Sequence, residues 1–438
     1  MTAPPARPVP ADDVRPVPPD DAWLAAETRR LLDGAARSAV PAGGFAWLDG
    51  DGRPDPSRGL QLWVNARMTH VFSLGVLLGR EGDAALVDHG VAALAGPFRD
   101  PVHDGWFSRL DGGSPASTTK AAYEHMFVLL AASSATVAGR PGAAELLDDA
   151  CAVVDARFWD PEAGRVVEEW NQDWTVLDGY RGANANMHAV EAFLAVADAT
   201  GDRRWRDRAE SIVTGLVHEG ARHSGWRVPE HFDSAWRMLP DYNRDRPDHP
   251  FRPYGATPGH GLEWARLLLH LDAAVRRATA TPASPVSGEP VGRGRSEPPS
   301  WLVPAAVELF DRAVAEGWDA DRGGFVYTTD WDGTPVVTER FHWVVAEAVD
   351  TAAALARVTG EDRFARWYAV FWDYARRVLV EPAGLGWLHE VDADGRVGGS
   401  RLGCAGLLRV DEREHGVPHV QRPGVLEIGE LDLGVRAA

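Results

Sequence analysis

A beat of about sixty residues constrains this chain more than any other feature, because a repeat of that length fixes the architecture before local structure is considered. GFAWLDGDGRP from Gly44, GWFSRLDGGSP from Gly105, GFVYTTDWDGTP from Gly324 and GWLHEVDADGRV from Gly386 share a glycine, an aromatic, a short alternating run and an Asp-Gly type of turn. That is the chemistry of a tight hairpin, where glycine supplies the positive φ. Weaker copies begin at Gly164 and Gly225, so the successive spacings are 61, 59, 61, 99 and 62. The long interval holds a loop near 240–257 and the stretch TATPASPVSGEPVGRGRSEPPS from Thr279 to Ser300. Its Pro, Gly and Ser content marks a low-complexity insertion that forms a disordered surface loop.

Between hairpins the apolar spacing becomes helical. LWVNARMTHVFSLGVLL from Leu62, KAAYEHMFVLLAASSATVA from Lys120, NMHAVEAFLAVADAT from Asn186, HGLEWARLLLHLDAAV from His260 and FHWVVAEAVDTAAALARVTG from Phe341 are apolar almost all round, as buried helices are. RRWRDRAESIVTGLVHEG from Arg203 instead has one apolar stripe and a charged face. Alternation of the two kinds predicts an all-α fold, an (α/α)6 barrel with an inner and an outer ring and short β-hairpins at one mouth. An open helical solenoid is the competing architecture. Residues 1–20, rich in proline and lacking a signal-peptide core, read as a disordered leader, and 21–438 as a single barrel domain. After Gly399 the helical periodicity is poor, so this C-terminal segment is atypical and a twelfth helix is not legible in it.

The formal net charge of -19, from 45 Lys plus Arg against 64 Asp plus Glu, argues against nucleic acid and anionic membranes as partners. No apolar run is long enough to span a bilayer. Two cysteines, Cys151 and Cys404, give neither a disulfide framework nor a usual zinc site, which fits a cytoplasmic protein.

The candidate site is built from scattered polar groups on buried helices. His260 and Glu263 share a helix face in PGHGLEWARLLL, and Asn184, His188 and Glu191 do so in NANMHAVEAF. Either set could also be a satisfied polar network of the core. Arg67 stands in an apolar helix, beside Asn65 and His70, and needs an acidic partner or an anion-like ligand. His389 and Glu390 lie in the last hairpin, able to face the mouth. The 18 Trp outnumber 14 Phe and 7 Tyr, and those near hairpins, Trp387 among them, could stack on sugar faces. Helix-borne His/Glu pairs without a compact His- or Cys-rich motif do not make a metal site, and no phosphate loop, dinucleotide fingerprint or nucleophile elbow occurs.

WVNARMTHVFS, KAAYEHMFVLLA, NANMHAVEAF, FRPYGATPGHGLEWARLLL and GGFVYTTDWDGTP, in that order across residues 40–396, resemble the N-acylglucosamine 2-epimerase superfamily, most closely its aldose–ketose isomerase branch of mannose and sulfoquinovose isomerases. The resemblance implies the (α/α)6 barrel, a metal-independent sugar site without cofactors, and a monosaccharide substrate. It implies that Arg67, His188, His260, Glu263 and His389 are the functional residues; from what aldose–ketose interconversion requires, His260, His389 and Glu263 are expected to be catalytic, with Glu263 orienting His260, and Arg67, His188, Asn184, Trp387 and Glu230 to bind the sugar. The expected reaction is D-mannose to D-fructose, with D-lyxose accepted for its shared configuration, through a cis-enediolate and histidine acid/base catalysis. The alternatives are sulfoquinovose isomerase, sugar 2-epimerase, a glycoside hydrolase or lyase using Glu169 or Glu230 with Glu390, and a non-catalytic sugar-binding protein. A monomer or weak homo-oligomer is expected. The family's usual closing helix motif is missing after Gly399.

Overall fold

The structure, a computed structural model, describes residues 16–49, 51–280, 297–381 and 384–397. Among the described residues the chain forms α1 (Asp21–Ala36), α2 (Leu62–Leu77), α3 (Asp83–Ala95), α4 (Ala122–Val137), α5 (Ala143–Val153), α6 (Ala183–Thr200), α7 (Arg203–Val213), α8 (Pro258–Ala280), α9 (Leu302–Gly317), α10 (His342–Thr359) and α11 (Asp362–Tyr374). The even-numbered helices are the all-round apolar segments, and they form the inner ring: α2 packs on α4, α4 on α6, α6 on α8 and α8 on α10. Each also packs on the odd-numbered helix that follows it. The sequence dictates the difference. Helix α2 buries residues on every side from Leu62 to Ser73, whereas α7 buries only Trp205, Ala209, Ile212 and Val213 and leaves its arginine-rich face to solvent.

The outer ring closes on itself, which decides against an open solenoid. Trp23 of α1 meets Trp372 of α11 edge-on at 5.4 Å, and the Trp387 indole N–H donates to Glu27 Oε1 of α1 at 2.8 Å. Arg30 adds a bond to the Gly384 carbonyl at 2.5 Å. Residues 16–20 belong to this seam: the Asp20 side chain caps α1 at Trp23 N, and the Val17 carbonyl accepts from Arg376. The expected leader of 1–20 is therefore too long at its inner end. The segment after Gly399, where a sixth inner helix would be sought, lies outside the described residues, as does Cys404. So do residues 281–296 of the expected insertion, whose first two residues, Thr279 and Ala280, continue α8.

Short antiparallel pairings stitch each unit to the next. The strand leading into an inner helix pairs with the following hairpin: Gln61 opposite Arg109, Ala121 opposite Glu169, Gly182 opposite His231, and Phe341 opposite Glu390. These stitches gather the hairpins at the N-terminal ends of the inner helices. A second device fixes their depth. Asn65 and Asn186, each fourth in its helix, bond through the amide oxygen to Phe45 N at 2.6 Å and Val166 N at 2.9 Å, while His125, fourth in α4, accepts from Trp106 N at 3.3 Å.

The turns at 233–237, 330–334 and 392–396 share one hydrogen-bond pattern, with an Asp at the first position whose amide donates four residues on. The fourth position needs positive φ, and Gly333 (91°) and Gly395 (75°) supply it. In the turn at 233–237 the same place holds Trp236 at φ 59°. The left-handed conformation costs a non-glycine residue about 1–2 kcal/mol, and Trp236 offsets it by stacking under the Arg165 guanidinium, 4.7 Å from its ring, and against Phe232.

Candidate functional site

The inner helices start in register, so residues at one ordinal position face the axis at one depth. Counted from the helix starts, the sixth residues of α2, α4, α6, α8 and α10 are Arg67, Phe127, His188, Glu263 and Glu347. The first four run round the axis in contact. The Arg67 guanidinium lies 4.4 Å from the Phe127 ring, Phe127 lies 4.6 Å from His188, and His188 Nδ1 is 3.6 Å from Glu263 Oε1. Arg67, His188 and Glu263 are each at most 3% exposed. A helical turn deeper, Glu191 Oε2 lies 3.5 Å from His188 Nδ1. A turn nearer the mouth stand Tyr123, edge-on to His188 at 5.1 Å, the half-buried Asn184, and His260 beside Trp343 at 5.6 Å.

The hairpins bring a second set of groups to the same mouth. The carbonyls of Ser108, Glu168, Glu230 and His389 accept from the first amides of α2, α4, α6 and α10, at 2.9, 2.7, 2.9 and 3.1 Å, so these four residues occupy equivalent positions. Glu230 is 4% exposed, and its Oε1 lies 2.9 Å from His260 Nδ1. A neutral imidazole carries one N–H, and a carboxylate only accepts, so Nδ1 holds the proton and Nε2 is left with its lone pair. The expected orienting role of Glu263 thus falls to Glu230. The reason is geometric: a residue three positions along a helix sits one turn deeper, and that depth puts Glu263 beside His188. Glu230 was expected only as a sugar-binding group or as half of a hydrolytic carboxylate pair, not as the partner of His260.

His389 is 8% exposed and lies against Phe341 and His342, at 5.3 and 5.0 Å between rings. His342 Nδ1 donates to the His389 carbonyl at 3.0 Å. Burial pushes the His342 imidazole down to about 4, so this neighbour stays neutral and holds the hairpin in place. Trp387, two residues before His389, is 1% exposed and bonded to Glu27 in the outer seam, so it packs the wall there rather than standing with the axial side chains. Strand alternation does not separate the two, because residues two apart share a side; the chain bends into the seam at Gly384 to Trp387.

Sequence reasoning missed Tyr123, Phe127 and Glu168. All three become visible when inner helices and hairpins are aligned by position rather than searched for polar residues. Burial pushes the Glu168 carboxyl up to about 7, with Arg252 and the Gly182 amide opposing. Burial likewise pushes Glu124 up to about 7, against a 2.5 Å bond from Ser108 Oγ. The mouth therefore carries carboxyl groups that change charge near neutrality. Among the described residues no three His, Cys, Asp or Glu side chains are arranged to hold a metal ion, and no helix is long and apolar enough to cross a membrane.

Comparison with known proteins bears on the family and the fold. The chain is 53% identical over 373 residues to a D-mannose isomerase of Thermobifida fusca, covering 85% of this chain and 87% of that one. A D-mannose isomerase of Pseudomonas cannabina pv. alisalensis is 48% identical over 373 residues, covering 84% and 85%. A crystal structure of D-mannose isomerase superposes with a TM-score of 0.81 at 26% identity, covering 94% of this chain and 96% of that one. The sequence model of N-acylglucosamine 2-epimerase matches residues 43–404. With its barrel, its ring of axial side chains and these relatives, the chain belongs to the N-acylglucosamine 2-epimerase family.

Proposed function

We propose that this protein is a metal-independent aldose–ketose isomerase that converts D-mannose to D-fructose, taking D-lyxose as well. The observation that carries the reading is the His260–Glu230 pair at the mouth, 2.9 Å apart, beside a cationic and hydrogen-bonding floor of Arg67 and His188. Relatives of 53% and 48% identity that are D-mannose isomerases support the substrate.

The chemistry follows from what each group can do. The acyclic aldose has a weakly acidic hydrogen at carbon 2. His260 Nε2 takes it as a proton, and the electron pair of the broken C–H bond moves into the carbonyl to form a cis-enediolate. Glu230 stabilises the imidazolium so formed and keeps its ring in place, as an orienting carboxylate does in other histidine bases. Arg67 and His188 face the oxygen on which negative charge grows. The carbon-2 hydroxyl proton passes to oxygen 1, the charge so moved to oxygen 2 collapses into the new carbonyl, and the imidazolium returns its proton to carbon 1 on the same face, giving the ketose. His389, on the neighbouring hairpin, serves ring opening and closing by moving protons at the ring oxygen and the anomeric hydroxyl. The surrounding aromatics, Tyr123, Phe127 and Trp343, present apolar faces to the sugar and exclude water. The acidic surface and free Cys151 thiol suit a cytoplasmic monomer or weak homo-oligomer.

Running the reaction in deuterium oxide tests the proposal. A histidine that exchanges with solvent places deuterium at carbon 1 of fructose, while hydride transfer places none. Unlabelled fructose, together with near-normal turnover in His260→Ala, would overturn the mechanism. Dialysis against EDTA should leave activity unchanged, and restoration of lost activity by one divalent ion would refute metal independence.

A further inference from the structure

Below the ring that faces the sugar, the next axial layer holds an arginine 1% exposed, Arg266. It stands one turn beneath Glu263 on α8 and reaches three carboxylates on two other inner helices. Its Nε lies 3.0 Å from Glu347 Oε2 and 3.6 Å from Asp350 Oδ2, both on α10, and one terminal nitrogen lies 3.5 Å from Glu191 Oε1 on α6. The other oxygen of Glu191 faces His188 Nδ1 at 3.5 Å. One carboxylate is therefore shared between the buried guanidinium and the imidazole of the layer above.

From this juxtaposition we infer that Arg266 is a positioning residue for His188: it fixes the Glu191 carboxylate, and through it the ring orientation and Nδ1 proton of the histidine. A planar fork with fixed N–H directions suits this task where a lysine's single ammonium does not. Glu347 and Asp350 hold the fork from the far side of the axis. Without the guanidinium, Glu191, Glu263, Glu347 and Asp350 remain as a buried group of acids, and Glu191 must turn or take up a proton. Either response changes what Nδ1 of His188 faces. The role assigned to His188 rests on the function proposed above; the link from Arg266 to its ring does not.

The experiment has two readouts on the full chain. In 15N-histidine-labelled protein, with the His188 ring signals assigned by their loss in His188→Gln, Arg266→Met should shift both His188 ring nitrogens and leave those of His260 in place. Unmoved His188 signals, or equal movement at His260, would overturn the inference. In mannose turnover, Arg266→Met should lower kcat about 10- to 100-fold, the usual effect of losing an orienting partner, with KM within about twofold and Arg266→Lys recovering only part. In a His188→Gln background the further loss should shrink below about twofold, whereas an equal loss in both backgrounds would mean that Arg266 acts on the fold alone. If Arg266→Met does not fold, Glu191→Gln carries the same two expectations. A wild type that does not turn over mannose would sink the proposed function, and the ring signals would still decide the inference.

Discussion

His260 and His188 are nearly equally buried, 5% and 2% exposed, yet they are supported in opposite ways. His260 has one carboxylate at hydrogen-bond distance, delivered from a hairpin of the neighbouring repeat. His188 has two carboxylates from inner helices at 3.5 and 3.6 Å, with Tyr123 and Phe127 around its ring. A single short bond defines a tautomer and leaves the opposite nitrogen as a base. Two longer contacts to carboxylates, Glu263 beside it and Glu191 below, set His188 among acids. In the proposed mechanism the difference separates a group that carries a proton from a group that answers charge.

The largest effect should come from His260→Ala, which we expect to lower kcat by about 10² to 10⁴ without loss of the fold, the range for a general base. The His389→Ala loss should combine with it less than multiplicatively, as groups on one proton-transfer sequence do; steady-state turnover of the double variant checks this. His188→Gln should cost about 10² to 10³, as removal of one oxyanion donor does, while the deuterium still appears at carbon 1 of fructose; label found only at carbon 2 of the recovered aldose would erase the distinction. Glu230→Gln should cost about 10- to 100-fold in kcat and move the acidic limb of the pH profile, where a general base takes up its proton, whereas Glu263→Gln should leave that limb in place. A reversal of these two would restore Glu263 as the partner of His260. The smallest effect concerns a third histidine. The buried His342 titrates at about 4, below its ordinary value, so it contributes stability present above about pH 6.5 and lost as pH falls through 4. His342→Gln should flatten Tm against pH across that window and leave the activity profile near neutrality alone.

The barrel was legible because its two signals, the hairpin beat and the helical apolar period, are local. Arg67, His188 and His260 were legible for a related reason: a cation or imidazole in an apolar helix needs an explanation wherever it lies. Glu230 as the partner of His260 was not, since the pairing of Gly182 with His231 that delivers it is tertiary. Glu263 looked the better partner because sequence spacing gives a shared face without giving depth. Trp387 was misplaced for a similar reason. Its hairpin lies at the mouth, but its own neighbours, Glu27 and Trp372, come from the first and last outer helices.

The tryptophan at φ 59° in the turn at 233–237 ties one repeat to the next. Turns at 330–334 and 392–396 place glycine at the same position and meet its positive φ without a side chain. The turn with Trp236 has its indole covered by Arg165, from the preceding repeat. Glu230 rides on that same hairpin, and its carboxylate meets His260 on α8. The orientation of the base at the mouth therefore leans on a contact between the third and fourth repeats, and a change at Arg165 reaches His260 through the hairpin that carries Glu230.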